Sequence, residues 1–332
     1  MESPFVSVLL PVKNGGAYLR DSINSILNQT YDNFELIIID DGSSDDSSNI
    51  IREFDCTRIR SYEQSNRGLA ATLNRAIELS TGSYVARQDQ DDVAHPQRLA
   101  KQVEFLKAHP KCAMVGTWAS IWSRESESSR VHRHPTDNLV LKFELLFDNP
   151  FVHSTIMLEK SALVKVGLYS TDGSRQPEDY ELWSRIAREF EVANIPEILE
   201  VYREVPNSMS RAKLNPFLDH VIDISAENIA FITGRAYPHQ VAVDLTALAR
   251  RAYHRVSRQP SLTEITALLL EASRKLRSSS NAPPNALEGA VKSRLLSIRQ
   301  SYYYYRYGPR LHRIMAYLDK ILKRNGQGKG DE

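Results

Sequence analysis

Ser83-Tyr84-Val85-Ala86-Arg87-Gln88-Asp89-Gln90-Asp91-Asp92 decides how the rest of the chain is read. Its first residues form an apolar, strand-like run, and its last four contain three carboxylates. Carboxylates packed that closely repel one another. A divalent cation between them relieves the repulsion, and hard oxygen ligands suit Mg2+ or Mn2+. A metal held at a strand end is in turn a place to bind the phosphates of a nucleotide. The bland alternative is a solvated acidic turn, since D-x-D alone is a weak motif.

Outward from this stretch, strand-like and helix-like segments alternate. The spacing predicts strands at Phe5–Val12, Phe34–Ile39, Arg58–Tyr62 and Gly82–Arg87. Between and after them it predicts helices at Tyr18–Leu27, Ser47–Phe54, Leu69–Leu79 and from Pro96 to Leu106. Such alternation argues an α/β fold with a doubly wound, mostly parallel sheet. Sheets of this kind bind ligands beyond the carboxyl ends of their strands. Three turns, Lys13–Gly16, Asp40–Ser43 and Asp89–Asp92, are therefore expected on one rim.

Farther on, Cys112–Ile121 and Ser154–Leu158 read as strands, and Ser123–Arg130 as a polar, mobile loop. Pro177–Phe190 reads as a helix and Ile198–Tyr202 as a final strand. After Asn207 the spacing becomes helical, over Asn215–Ile232, His239–Tyr253 and Leu262–Leu276. Ser278–Pro284 is a linker by composition, and Leu287–Ile298 resumes the helix. The expected organisation is an α/β domain over 1–210, a helical extension over 211–277, a linker over 278–286 and a basic, aromatic helical tail over 287–332.

Bulk properties narrow the class. Lys+Arg (42) and Asp+Glu (41) nearly cancel, which argues against a nucleic-acid partner. Cys56 and Cys112, the two cysteines, make neither a disulfide framework nor a Cys-rich zinc site, so a reducing compartment is expected. The first residues lack a signal-peptide pattern, and no stretch has the length of a membrane-spanning helix. A cytoplasmic location is expected, with adsorption to the inner face of the membrane still open.

Five motifs occur in order: Val6-Ser7-Val8-Leu9-Leu10-Pro11-Val12-Lys13-Asn14; Ile39-Asp40-Asp41-Gly42-Ser43; Asn66-Arg67-Gly68; Asp89-Gln90-Asp91-Asp92; and Pro177-Glu178-Asp179-Tyr180-Glu181-Leu182-Trp183. Over roughly residues 5–205 the chain resembles bacterial family-2 glycosyltransferases, enzymes of the GT-A (Rossmann-like) fold that invert at the anomeric carbon. The resemblance implies a mixed, mostly parallel sheet flanked by helices and followed by a helical region. It implies that Pro11, Val12 and Asn14 line the nucleoside pocket and that Asp41 accepts from the base of a UDP-sugar. Arg67 and Gly68 would lie near the donor, where glycine permits close approach and arginine meets phosphate.

By the same resemblance Asp91 coordinates a metal, Mn2+ or Mg2+, and Asp89 reaches the metal, the sugar or the ribose. Asp179 is the general base, with Glu178 as its neighbour. Residue types alone also allow plainer readings: a turn and cap at Asp41-Gly42-Ser43, and dipole-favoured acids at a helix start for Glu178 and Asp179. Trp183 either stacks on a sugar or fills the core. His153 would lie on the acceptor side. The acceptor implied is a hydroxyl of a glycan or lipid-linked oligosaccharide in surface polysaccharide synthesis.

Two rival classes fit less well. A sugar-phosphate nucleotidyltransferase needs a basic, glycine-rich loop after the first strand, and Pro11-Val12-Lys13-Asn14-Gly15-Gly16 matches that poorly. A catalytically silent nucleotide-sugar-binding scaffold has no use for both Asp91 and Asp179. In the tail, Leu311, Ile314, Leu318 and Ile321 have helical spacing beside Arg310, Arg313, Lys320, Lys323 and Arg324. That pattern suits either an anionic membrane surface or packing on the domain.

Overall fold

β1 (Val6–Val12) is buried along its whole length, as a continuous apolar run in the middle of a two-sided sheet must be. The computed structural model describes residues 3–123, 126–205, 217–280, 282–283 and 285–308. β1 pairs in parallel with β2 (Phe34–Asp40) on one side and β4 (Tyr84–Arg87) on the other, and β2 pairs with β3 (Ile59–Glu63). α1 (Leu19–Leu27), α2 (Ser47–Arg52) and α3 (Leu69–Leu79) make the crossovers. The chain winds outward from β1 to β3, and α3 then carries it back to β4. Strand order thus reverses between β1 and β4, which marks the crevice beyond their carboxyl ends as the ligand position.

Past β4 the sheet becomes mixed. Its remaining strands are β5 (Val93–Ala94), β6 (Cys112–Ser123), β7 (Ser126–His132), β8 (Met157–Glu159) and β9 (Glu191–Glu204). Among the described residues the order is β3-β2-β1-β4-β8-β6-β9-β5, with β7 paired to β6. β8 runs antiparallel to β4 and β6, while β9 runs parallel to β6. Four further helices follow in this part of the chain: α4 (Arg98–Ala108), α5 (Asn138–Glu144), α6 (Lys160–Val166) and α7 (Glu178–Glu189). The core gathers Val6, Val8 and Leu10 of β1, Leu36 and Ile38 of β2, and Leu19, Ile23 and Ile26 of α1.

Several elements differ from the sequence reading. Residues 123–130, read as a polar loop, contribute to β7, which forms a hairpin with β6. Pairing to a neighbouring strand, rather than apolar content, makes this segment β. The last strand begins at Glu191, seven residues before the expected Ile198. Pro196 hid this, since proline argues against a strand interior. The register explains it: Ile195 pairs with Thr117 but Ile198 with Trp118, so Pro196 sits in an irregularity of the ladder. Short α5 and α6 were not foreseen. Pro177 caps α7 rather than entering it.

The chain divides into two units, residues 1–142 with 149–217, and residues 143–148 with 218–332. The second is built on α8 (Leu218–Thr233), α9 (Gln240–Arg250), α10 (Leu262–Ser278) and α11 (Glu288–Tyr307). Ser261 caps α10 by accepting from the Glu264 N–H. The segment 143–148 is tied in by polar and apolar contacts. Arg294 pairs with Glu144 at 2.5 Å and stands 4.5 Å from the Phe147 ring centroid. Asn228 Nδ2 donates to the Leu145 carbonyl at 3.0 Å.

The tyrosine run is part of this unit. Tyr304 and Tyr305 stack on Tyr253 at 5.3 and 6.1 Å, and the Tyr305 hydroxyl donates to the Ser257 carbonyl. The basic positions from Arg310 to Arg324, on which the membrane expectation rests, lie outside the described residues. Among the described residues no helix is long and apolar enough to cross a membrane.

Phe147 is fully buried, and Phe147→Ala leaves a cavity that its neighbours fill only partly. The expected loss is about 3–5 kcal/mol, read as a lower urea midpoint for the helical unit.

Candidate active site

Gln90 ties the acidic turn to the turn after β1. Its Oε1 accepts from Lys13 N at 2.7 Å, and its Nε2 donates to the Lys13 carbonyl at 3.1 Å. The approach is tight enough that a Cβ on Gly15 would stand 2.6 Å from Gln90 Oε1. The same turn is bonded to the segment after β2. Asn14, at φ +53°, accepts from Ser44 N and donates its own N–H to Ser43 Oγ. Gly15 N donates to Ser47 Oγ, and Lys13 Nζ donates to the Asp41 carbonyl. The three turns expected on one rim are hydrogen-bonded to one another. Pro11 and Val12 are buried just before them.

Asp41 joins two motifs that look separate in the sequence. Its Oδ1 accepts from Gln64 Nε2 and Arg67 N, both at 2.7 Å, and its Oδ2 accepts from Gly68 N at 2.9 Å. A carboxylate offers about four acceptor sites, so these bonds leave room for one more donor. Gly42 turns the chain here at φ +74°, where a Cβ would meet Asn66 N at 3.1 Å. The Arg67 side chain is exposed and, among the described residues, makes no ion pair.

The acidic turn rests on a buried polar base. Arg87, at the end of β4, pairs with Asp89. Ser22 Oγ donates to the Asp89 carbonyl at 2.7 Å. Below lies Arg98, the first residue of α4, wholly buried and 3.2 Å from Glu200 of β9. Its guanidinium donates to the carbonyls of Arg87 and Ser154 and to Gln88 Oε1. Gln88 Nε2 donates to the Asp92 carbonyl and to Glu200 Oε1. Asp92 Oδ1 accepts from Arg203 N at 2.8 Å.

α7 supplies two further carboxylates, Glu178 and Asp179, in its first turn. Asp179 Oδ2 accepts from Asn149 Nδ2 at 2.8 Å, and its Oδ1 accepts from Tyr180 N. Burial, with the Glu178 carboxylate beside it, pushes Asp179 up to about 7. Burial raises Glu178 as well. α7 is locked from behind by Arg185, which binds Glu181 and donates to the carbonyls of Val166, Gly167 and Leu168.

His153 shares a 3.1 Å hydrogen bond with the Tyr169 hydroxyl and stands edge-on to Trp183. Burial and the Arg87 charge push its imidazole down to about 3, so it is neutral at pH 7. Trp183 is wholly buried. Of its two readings, burial supports packing, because neither ring face is open to a sugar.

One field links these groups. The Asp89 charge raises Asp91, Asp92, Glu178 and Asp179. Burial, then Asp89, pushes Asp91 up to about 6. Burial holds Asp92 well above the carboxylate range, and its Oδ2 has no hydrogen-bond partner among the described residues. Buried carboxylates raised in this way are eased by a cation, and their hard oxygens suit a divalent one. Among the described residues no cluster of three or more His, Cys, Asp or Glu side chains is arranged to hold a metal by itself. Two aspartates completed by phosphate oxygens and water would still satisfy such an ion.

The sequence model of glycosyl transferase family 2 matches residues 7–168. The chain is 35% identical over 227 residues to EpsE of Bacillus subtilis (strain 168), covering 66% of this chain and 80% of that one. The chain belongs to glycosyl transferase family 2. A second relative, the O-antigen biosynthesis glycosyltransferase WbnJ of Escherichia coli, is 35% identical over 218 residues, covering 63% of this chain and 83% of that one. In fold, the chain resembles S. aureus TarS 1-349 in complex with UDP-GlcNAc, at TM-score 0.59 and 15% identity, covering 91% and 92% of the two chains. It also resembles a Pyrobaculum calidifontis mannosyltransferase in complex with GDP-Man and Mn2+, at TM-score 0.51 and 18% identity, covering 99% and 89%. The GT-A architecture expected from the motifs is the one observed, and the family assignment makes the protein a glycosyltransferase.

Family motifs did not point to Gln88, Arg98, Asn149 or Glu200. Arg98 reads as one more charge on an amphipathic helix, and Glu200 as a polar residue of an edge-like strand. Only the spatial arrangement distinguishes them.

The Asp91 shift has a stability consequence of definite sign. Its carboxyl moves from an ordinary 3.8 to about 6 in the fold. Below 3.8 both folded and unfolded chains carry the proton and nothing is lost. As pH rises, the unfolded chain ionises first, and above about 6 the fold bears the full penalty. Asp91→Asn is therefore expected to raise the melting temperature of metal-free protein at pH 8, with the gain vanishing near pH 4, as read by circular dichroism.

Proposed function

We propose that the chain moves a sugar from a UDP-sugar to a hydroxyl of a glycan or lipid-linked oligosaccharide, with inversion at the anomeric carbon. The observation that carries this reading is the joining, by hydrogen bonds, of the turns after β1, β2 and β4 beyond the strand ends where the sheet order reverses. Pro11, Val12 and Asn14 border the nucleoside, and Asp41 offers its remaining acceptor site to the base. A charged acceptor strengthens such a bond. Exposed Arg67, beside Gly68, is placed to meet the diphosphate. A divalent cation, Mn2+ or Mg2+, held by Asp91 and Asp89 would neutralise charge on the departing nucleoside diphosphate.

The transfer itself falls to Asp179. An acceptor hydroxyl is a poor nucleophile until its proton is leaving. The Asp179 carboxylate takes that proton as the acceptor oxygen bonds to the anomeric carbon and the bond to the diphosphate breaks. Asn149 and the Tyr180 N–H fix the carboxylate for this step. A carboxyl raised to about 7 is a stronger base than an ordinary one and still ionises near neutral pH. Similarity to the O-antigen biosynthesis glycosyltransferase WbnJ supports a surface-polysaccharide acceptor.

Nucleotide release, measured over a panel of nucleotide sugars with and without Mn2+, is expected to select a UDP-sugar and to require the metal. No binding of any nucleotide sugar would refute the donor assignment. Asp179→Asn is expected to slow transfer by about 10^2 to 10^4-fold while UDP binding stays near normal by calorimetry. Transfer by the parent protein should fall as pH drops below about 7, where the base is protonated. Near-normal transfer by the variant would remove Asp179 from the mechanism.

A further inference from the structure

α10 and α11 leave an open groove between them of about 550 Å³. Leu287, Val291, Leu295 and Leu296 form its apolar part. Val291 and Leu295 are four residues apart on α11, so they stack along one helix face. Arg274 and Arg277 line the groove from α10, and Lys292 and Arg299 from α11, with Glu288 the one acid beside them. Four cations thus gather at one groove in a chain whose overall net charge is only +1. Lys292 and Arg299 are exposed and, among the described residues, make no ion pair.

We infer that this groove binds the phosphate-headed lipids of an anionic bilayer. The chemistry is matched at both ends. Guanidinium and ammonium groups hold a phosphate by charge-assisted hydrogen bonds. The leucines and valine beside them take the first methylenes of the chains, which a soluble phosphate lacks. Basic side chains flanking an apolar strip are also what an anionic leaflet attracts. Charge argues against the chain's own end as occupant. Residues 309–332 carry Arg310, Arg313, Lys320, Lys323, Arg324 and Lys329 against Asp319, Asp331 and Glu332, so they share the sign of the groove. The inference goes beyond sugar transfer and does not depend on it.

Co-sedimentation of the full chain with vesicles tests it. Binding to phosphatidylcholine–phosphatidylglycerol vesicles is expected, with little to phosphatidylcholine alone. The K292E/R299E variant, folded by circular dichroism, is expected to bind at least about tenfold more weakly, and K292R/R299K to bind normally. K292Q/R299Q, expected to be intermediate, serves should the charge reversal disturb folding. Neutralising the tail in the full chain (R310Q/R313Q/K320Q/K323Q/R324Q) is expected to leave most of the binding. Equal binding to both vesicle types, or loss that follows the tail variant and spares the groove variants, overturns the inference. Displacement by glycerol 3-phosphate at matched concentration would also overturn it, since the groove would then be a soluble-phosphate site. Nucleotide release by K292E/R299E should stay normal, which keeps this outcome separate from the fate of the transfer reaction.

Discussion

The acidic rim stands on one buried ion pair, Arg98 with Glu200. Arg98 comes from the start of α4 and Glu200 from β9, and the strand end they support belongs to neither. Their environment is costly for both charges. Burial pushes Glu200 up to about 7 even with Arg98 beside it, and burial lowers Arg98. A pair of this kind is weak evidence for stability, yet removing one partner typically costs about 3–5 kcal/mol because the other is left alone. Its contribution here is positional. Arg98 fixes the carbonyls of Arg87 and Ser154 and the amide of Gln88, and Gln88 fixes the Asp92 carbonyl. An apolar base of equal volume would leave those groups unpaired.

Above that base, acids outnumber bases. Asp89, Asp91 and Asp92 crowd one turn, while Arg87 is committed to Asp89 and the Arg203 side chain also pairs with Asp21. Burial, and after it the neighbouring acidic charges, hold Asp91 and Asp92 above their ordinary value and raise Asp179 toward neutrality. A carboxyl poised to exchange a proton and an acidic turn that favours a cation thus both follow from burying acids close together. Sites built this way sacrifice stability of the free protein for readiness toward ligand.

Legibility in the sequence followed the range of the interactions. β1, β2 and α3 were readable because one buried face writes itself into local spacing. The convergence of the turns after β1, β2 and β4 was readable because winding order dictates it. The carboxylates of the acidic turn and of α7 stood out through their motifs. What stayed hidden was set by partners distant in sequence. Glu200 is an ordinary acid until Arg98 is seen beside it. Within the stretch 123–130, residues 126–130 look like a loop until β6 is there to pair with them. Pro196 appears to forbid the strand it actually interrupts. Trp183 carries no sign of whether its rings face solvent, and Tyr304 and Tyr305 resemble a surface patch until Tyr253 stacks on them.

The chain passes from one unit to the other at 142/143, 148/149 and 217/218. The hexapeptide 143–148 is therefore owned by helices encoded more than seventy residues later. Phe143, Leu145, Leu146 and Phe147 are all buried in the finished protein. Modular exchange is constrained by this stitch. A new helical region grafted after 217 would inherit four apolar side chains shaped for the old one, so this family member can diversify that half only by changing two separated stretches of gene together.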